Sequence, residues 1–198
     1  MRVAGAVLAA GRGDRLGGDV PKPLAPLAGR PLVAWALEAA HAAELSPIVV
    51  VVGKHGADVG RVAPPSVTVV HAPHWHQGIA HSLHAAIDAV DGYVQVSALC
   101  VGLADQPLVG PDAYRRLVAA HERGARLAVA TYNGVRGNPV LLARELWDDA
   151  RALRGDVGAR ALMRDHDVVE VDCTGTGSPD DVDTIDDLRA LERMVGSG

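Results

Sequence analysis

The sequence predicts an α/β protein: a three-layer sandwich in which helices cover both faces of a mostly parallel sheet, in a single domain over residues 1–198. Two observations carry that prediction. Short, almost wholly apolar runs recur along the chain, as strands buried on both faces of a parallel sheet require. Between them lie segments with apolar residues at helical spacing. Strands and helices that alternate in this way build open sheets, which take ligands beyond the carboxyl ends of their strands.

Residues 3–9 are the first apolar run, and residues 47–52 are the second, rich in β-branched side chains. Between them, residues 31–43 set Leu32, Trp35, Ala36 and Ala39 at helical spacing, with Pro31 suited to a first-turn position. The alternation continues with a strand at 67–70, a helix at 79–90 and a strand within 93–103. A helix over 111–123 again opens on proline, and a strand at 127–131 follows it. The last third is expected to hold a strand near 139–142, helices near 145–153 and 157–164, a strand at 168–172, and a closing helix from Ile185 to about Met194. Residues 174–179 form a loop of Gly, Ser, Pro and Thr. No internal repeat, low-complexity tract or linker divides the chain.

Composition excludes several classes. No run approaches the ~18 consecutive apolar residues of a membrane span. The opening strand-like run leads to charged Arg12, Asp14 and Arg15, unlike a secretory signal, so a cytoplasmic protein is expected. A net charge of −5 argues against a nucleic-acid partner. Cys100 and Cys173 form no CxxC pair and suggest neither a disulfide framework nor a zinc site, so both are expected to be buried thiols. Trp35 and Trp147 are expected in the core or in helix packing. His71, His74, His76 and His81 crowd one segment and are expected to be solvated rather than metal-bound.

The first strand runs into Gly11-Arg12-Gly13-Asp14-Arg15-Leu16-Gly17-Gly18, with Lys22 shortly after. Glycines allow backbone N–H groups to approach phosphate oxygens, and Arg or Lys supplies the charge that a triphosphate needs. The spacing fits neither the P-loop nor the dinucleotide fingerprint. A phosphate loop is the functional reading; a glycine-rich surface turn is the alternative. Two acidic loops also stand at strand ends, with Asp105 after the run ending at Leu103, and Asp181 and Asp183 after the 168–172 strand. Mg²⁺ is held by one or two carboxylates plus substrate phosphates, so Asp105 and Asp183 form the candidate metal pair. The alternative is that Asp105 closes a turn before Pro107, and that Asp183 or Thr184 caps the last helix.

Leu8-Ala9-Ala10-Gly11, with Arg15-Leu16-Gly17 and Pro21-Lys22-Pro23-Leu24, resembles the LAAGxSxRMG…PK signature of NTP transferases with the Rossmann-like nucleotide-diphospho-sugar transferase fold. Gly13 stands where Ser is usual and Leu16 where Met is usual. Further segments occur in the order found in molybdenum cofactor cytidylyltransferase-like (MobA-like) proteins. His71 to Leu83 looks like NPxWxxGMxxSL, with Ile79 and His81 departing from it, and Gly102 to Val109 resembles GDQPLV. Arg136 to Val140 is similar to RGHPV, with Asn138 in place of His. Gly155 to Arg160 matches GDxGAR, and Asp181 to Leu188 resembles DIDTPEDL.

The resemblance implies Mg²⁺-dependent transfer of CMP from CTP to molybdopterin or its molybdenum-loaded form, serving a molybdenum hydroxylase. It places Leu8, Ala9, Ala10, Gly11, Arg12, Gly13, Gly78 and Ser82 at the nucleotide. Arg15, Lys22 and Asp105 are the implied catalytic residues, and Asp105 and Asp183 the metal ligands. Other readings are a non-catalytic cofactor carrier, a methylerythritol-phosphate cytidylyltransferase or, more distantly, a Rossmann oxidoreductase.

Overall fold

A computed structural model describes residues 1–11 and 20–196. Its centre is a seven-stranded sheet made of β1 (Arg2–Ala9), β4 (Ile48–Val52), β5 (Val67–His71), β6 (Val96–Leu103), β7 (Leu127–Tyr132), β8 (Val135–Ala143) and β9 (Val169–Asp172) in the order β5-β4-β1-β6-β8-β7-β9. The first four neighbours in that order are parallel, and β7 and β9 are also parallel. β8 runs antiparallel between β6 and β7. A separate two-residue hairpin pairs β2 (Pro26–Leu27) with β3 (Arg30–Pro31).

The alternation of side chains along each strand builds two cores. In β4, Ile48, Val50 and Val52 enter one core and Val49 and Val51 the other; in β1, Val3, Val7 and Ala9 oppose Ala4, Ala6 and Leu8. The first core is closed by α1 (Leu32–Ala42), α2 (Gly56–Val62) and α4 (Pro111–Glu122), the second by α3 (Ile79–Asp91) and α5 (Trp147–Ala152). This is the expected three-layer α/β architecture. A third, smaller cluster joins Ala25, Leu27 and Leu32 to Val182 and to Leu191 of the closing helix α6 (Ile185–Val195). Each fully buried aliphatic side chain of this kind contributes about 1.5–3 kcal/mol, so the segment after Lys22 and the segment around Asp183 are firmly packed together.

Several expectations need correction. The helix expected at 157–164 is a 3₁₀ helix, Ala159–Arg164, and its buried residues Ala159 and Leu162 lie three apart, one turn of that tighter helix. The strand expected near 139–142 is longer and antiparallel. Pro31 precedes α1 rather than occupying its first position, and α2 lies where no helix was expected. Both cysteines are buried, and Trp147 is buried as expected. Trp35 is half-buried under the Arg30 guanidinium, whose carbon lies 5.0 Å from the ring centroid. Among the described residues no helix is long and apolar enough to cross a membrane.

Candidate active site

β1 and β6 run side by side through the middle of the sheet, and their carboxyl ends open into a cavity of about 730 Å³. Leu8, Ala9, Ala10 and Gly11 form its floor at the end of β1, while Leu103, Ala104 and Asp105 arrive from the end of β6. Lys22 and Asp183 complete one wall; Trp75 to Ile79, Ser82 and Asp156 form the other.

Lys22 sits in a 3₁₀ turn, Lys22–Leu24, preceded by Pro21 and containing Pro23, whose fixed φ stiffens it. Its Nζ donates to Asp105 Oδ2 and to Asp183 Oδ1, each at 2.7 Å. The two carboxylates therefore approach within twice that distance, although 78 positions separate them in sequence. Burial of the Lys22 ammonium opposes its charge, but the facing Asp105 and then Asp183 outweigh burial and raise its pKa above the ordinary lysine value. The group keeps its charge throughout the neutral range. Asp181 reaches the same cluster: burial first, then the Asp105 carboxylate, raise its pKa, while a hydrogen bond from Gln106 works in the opposite direction.

Asp183 faces Lys22 because the last helix is capped by its neighbour. Thr184 accepts from the Asp187 amide, and the Asp187 carboxylate accepts from the Thr184 amide, a closed capping box. The capping alternative thus falls to Thr184. The Asp105 loop is stitched to the same region by the Val182 amide, which donates to the Asp105 carbonyl at 2.8 Å.

The opposite wall is shaped by backbone. Gly78 has φ +120°, and a Cβ there would lie 2.2 Å from the carbonyl atoms of Gly155. The Ala80 amide donates to that Gly155 carbonyl at 3.2 Å, so the loop at Gly155 and Asp156 is locked onto the start of α3. Ser82, buried in the first turns of α3, lines the cavity next to it. Gly53 stands beneath the Trp75 indole, where a Cβ would come within 2.7 Å of the ring.

The structure therefore gathers Leu8, Ala9, Ala10, Gly11, Lys22, Gly78, Ser82, Asp105 and Asp183 around one cavity. Arg12, Gly13 and Arg15 lie outside the described residues. Asp156 and Trp75 join the cavity wall without having been singled out, and for both the available signal was membership in the Gly155 and Trp75 motifs. Of the clustered histidines, His76 lines the cavity, while His74, His81 and His84 make successive edge contacts at 5.8 and 5.7 Å between ring centroids. Among the described residues no group of three or more His, Cys, Asp or Glu side chains is arranged to hold a metal ion. A second hollow, of about 920 Å³, is shallower and lies at the opposite edge of the sheet, beside Val94 and Ser97.

The chain is 38% identical over 132 residues to the bifunctional protein GlmU of Geobacter metallireducens, an overlap that covers 65% of this chain and 27% of that one. It spans about a quarter to a third of the length of the curated relatives it matches. Rv0371c of Mycobacterium tuberculosis superposes with a TM-score of 0.85 at 30% identity, covering 97% of this chain and 98% of that one. The structure of an Rv0371C complex with manganese gives a TM-score of 0.80 at 27% identity, covering 98% and 99% of the two chains. The MobA-like NTP transferase domain matches residues 5–171, from the middle of β1 to β9, and the chain belongs to that family.

Proposed function

We propose that the protein acts as one domain to catalyse metal-dependent nucleotidyl transfer, with CTP as donor and molybdopterin or its molybdenum-loaded form as acceptor. The observation that carries this reading is Lys22 held between Asp105 and Asp183 at the mouth of a cavity floored by the end of β1. In the reaction an oxygen of the acceptor phosphate attacks the α-phosphorus of the nucleotide. A new P–O bond forms, the bond to the β-phosphate oxygen breaks, and pyrophosphate leaves with the bonding electrons. Such chemistry asks the protein for in-line placement and for neutralisation of spreading negative charge.

The residues divide that work. Lys22 keeps its proton and faces the reacting phosphates. The backbone of Leu8, Ala9, Ala10 and Gly11 lies against the nucleotide, with Gly78 and Ser82 opposite, and Arg12, Gly13 and Arg15 of the sequence motif serve the triphosphate. Asp105 and Asp183 are two hard oxygen donors side by side and fit Mg²⁺, which takes a few carboxylates and leaves its other positions to phosphate and water. When bound, the ion supplies charge neutralisation at the phosphates. The manganese complex of Rv0371C supports a divalent ion. The preference for CTP rests on the likeness of Asp105 to Val109 to the cytidylyl branch, and the molybdenum hydroxylase as eventual recipient rests on the set of motifs shared with the molybdenum cofactor cytidylyltransferase-like group.

Pyrophosphate release from equal CTP, GTP and ATP, with molybdopterin and with or without Mg²⁺, tests the proposal. Mg²⁺-dependent release with CTP preferred is expected, and Asp105→Asn should remove most of it. Preference for GTP would reassign the donor, and no pyrophosphate with any of the three would favour the carrier reading.

A further inference from the structure

Gln106 follows Asp105 but takes no part in the cavity wall, and it is only 5% exposed. A buried amide is tolerated when its donors and acceptor are all engaged. Here its Nε2 donates to the Pro179 carbonyl at 2.8 Å and its Oε1 accepts from Asn138 Nδ2 at 2.9 Å. A carbonyl can only accept, so Pro179 dictates which end of the amide faces it. Asn138 is held in turn, because the Tyr132 hydroxyl donates to its backbone carbonyl at 2.9 Å. Three segments thus meet at one side chain: the loop after β6, the strand β8, and the loop that leads to Asp183.

We propose that Gln106 is a positioning residue that sets the separation of the Asp105 and Asp183 carboxylates by pinning the loop that bears one to the loop that bears the other. Two carboxylates this close repel each other, and Lys22 offsets the repulsion only while its ammonium faces both. Once that ammonium also serves phosphate oxygens, the pair needs a support that does not depend on Lys22. The backbone contacts between the loops, Val182 to Asp105 at 2.8 Å and Ser178 to Leu108 at 2.9 Å, give the loops their register. Gln106 adds a side-chain tie from the residue next to Asp105 and extends it to β8. Asn138, which departs from the histidine of the resembling family, thereby acquires a role that needs an amide donor and no imidazole.

The catalytic consequence rests on the nucleotidyl-transfer reading, whereas the spacing of the carboxylates does not, and the experiment separates them. Gln106→Leu removes the amide at similar bulk; Asn138→Ala removes one partner and serves as the second variant should the first fail to fold. With saturating CTP, the Mg²⁺ concentration for half-maximal pyrophosphate release should rise about tenfold or more, as for the loss of partners behind a metal ligand. Turnover should recover at high Mg²⁺, with the KM for CTP little changed. Independently of turnover, isotope-labelled lysine gives only two ammonium signals, since Lys22 and Lys54 are the only lysines. Exchange of the Lys22 ammonium protons with water should be faster in both variants, with Lys54 as internal reference.

Unchanged Lys22 exchange in the folded variants overturns the proposal, as does lost turnover with an unchanged Mg²⁺ requirement. If the wild type shows no metal-dependent turnover while Lys22 exchange still accelerates in the variants, the nucleotidyl-transfer reading fails and the positioning stands.

Discussion

The wall of the cavity that bears Lys22, Asp105 and Asp183 is held by charge between side chains that keep part of their contact with water, the two carboxylates being 32% and 47% exposed. The facing wall, where Gly78 meets Gly155, is held by backbone against backbone with no space for a methyl group. Partly exposed charges contribute little to folding, because water and salt compete for them. A steric contact between main chains has no such competitor. Substitutions on the first wall should therefore change chemistry and spare the fold, whereas those on the second should change both.

Lys22→Ala is the sharpest probe of that contrast. Turnover should fall by on the order of a hundredfold or more, as when a charge that acts on the transition state is lost, while the melting temperature moves little. A variant that unfolds readily would erase the distinction between the two walls. Gly78→Ala should act on both quantities. Its Cβ would meet Gly155 at 2.2 Å and the Asp156 nitrogen at 2.5 Å, and its φ is strained for any L side chain. Strain of about 1–3 kcal/mol corresponds to a fall of roughly 5 °C in melting temperature for a chain of this size. Displacement of the start of α3 should also lower turnover, by about tenfold.

The smallest effect belongs to Asp181. Its carboxyl titrates above the ordinary value because burial and then Asp105 disfavour its charge. The folded state thus holds this proton more tightly than the unfolded chain does, and stability from this group declines as pH rises through the interval above the unfolded value of 3.8. Asp181→Asn should accordingly raise the melting temperature slightly at pH 7, and the advantage over wild type should vanish below that interval. Thermal melts of both proteins across pH check the sign.

What the sequence announced and what it concealed follow similar physics. The runs that became β1, β4 and β6 are apolar on both faces and stand out without any context, as does the helical spacing of α1 and α3. Strand direction leaves no trace in composition, so the reversal of β8 was invisible; its first half, Val135-Arg136-Gly137-Asn138, is also too polar to look like a strand. Helix α2 begins at Gly56, contains Gly60 and buries only Val59, which gives no amphipathic stripe to detect. The β2–β3 hairpin turns through Ala28 at φ 49° and Gly29 at φ 76°, and an alanine in a left-handed conformation disguises a turn that Asn-Gly would have advertised. At the site, the motifs supplied Lys22, Asp105 and Asp183. That one ammonium would touch both carboxylates could not be read from spacing, because the contact depends on the small cluster of Leu27, Leu32, Val182 and Leu191 that brings distant segments together.

That cluster has a consequence for the order of synthesis. Lys22 and Asp183 are 161 positions apart, and a growing chain has already delivered β9 when it reaches Asp172. A chain halted between Asp172 and Val182 carries the sequence of every strand of the seven-stranded sheet and only one of the two carboxylates. Translation thus supplies most residues that line the cavity before the second carboxylate of the pair, and the helix that docks through Leu191 follows that carboxylate directly.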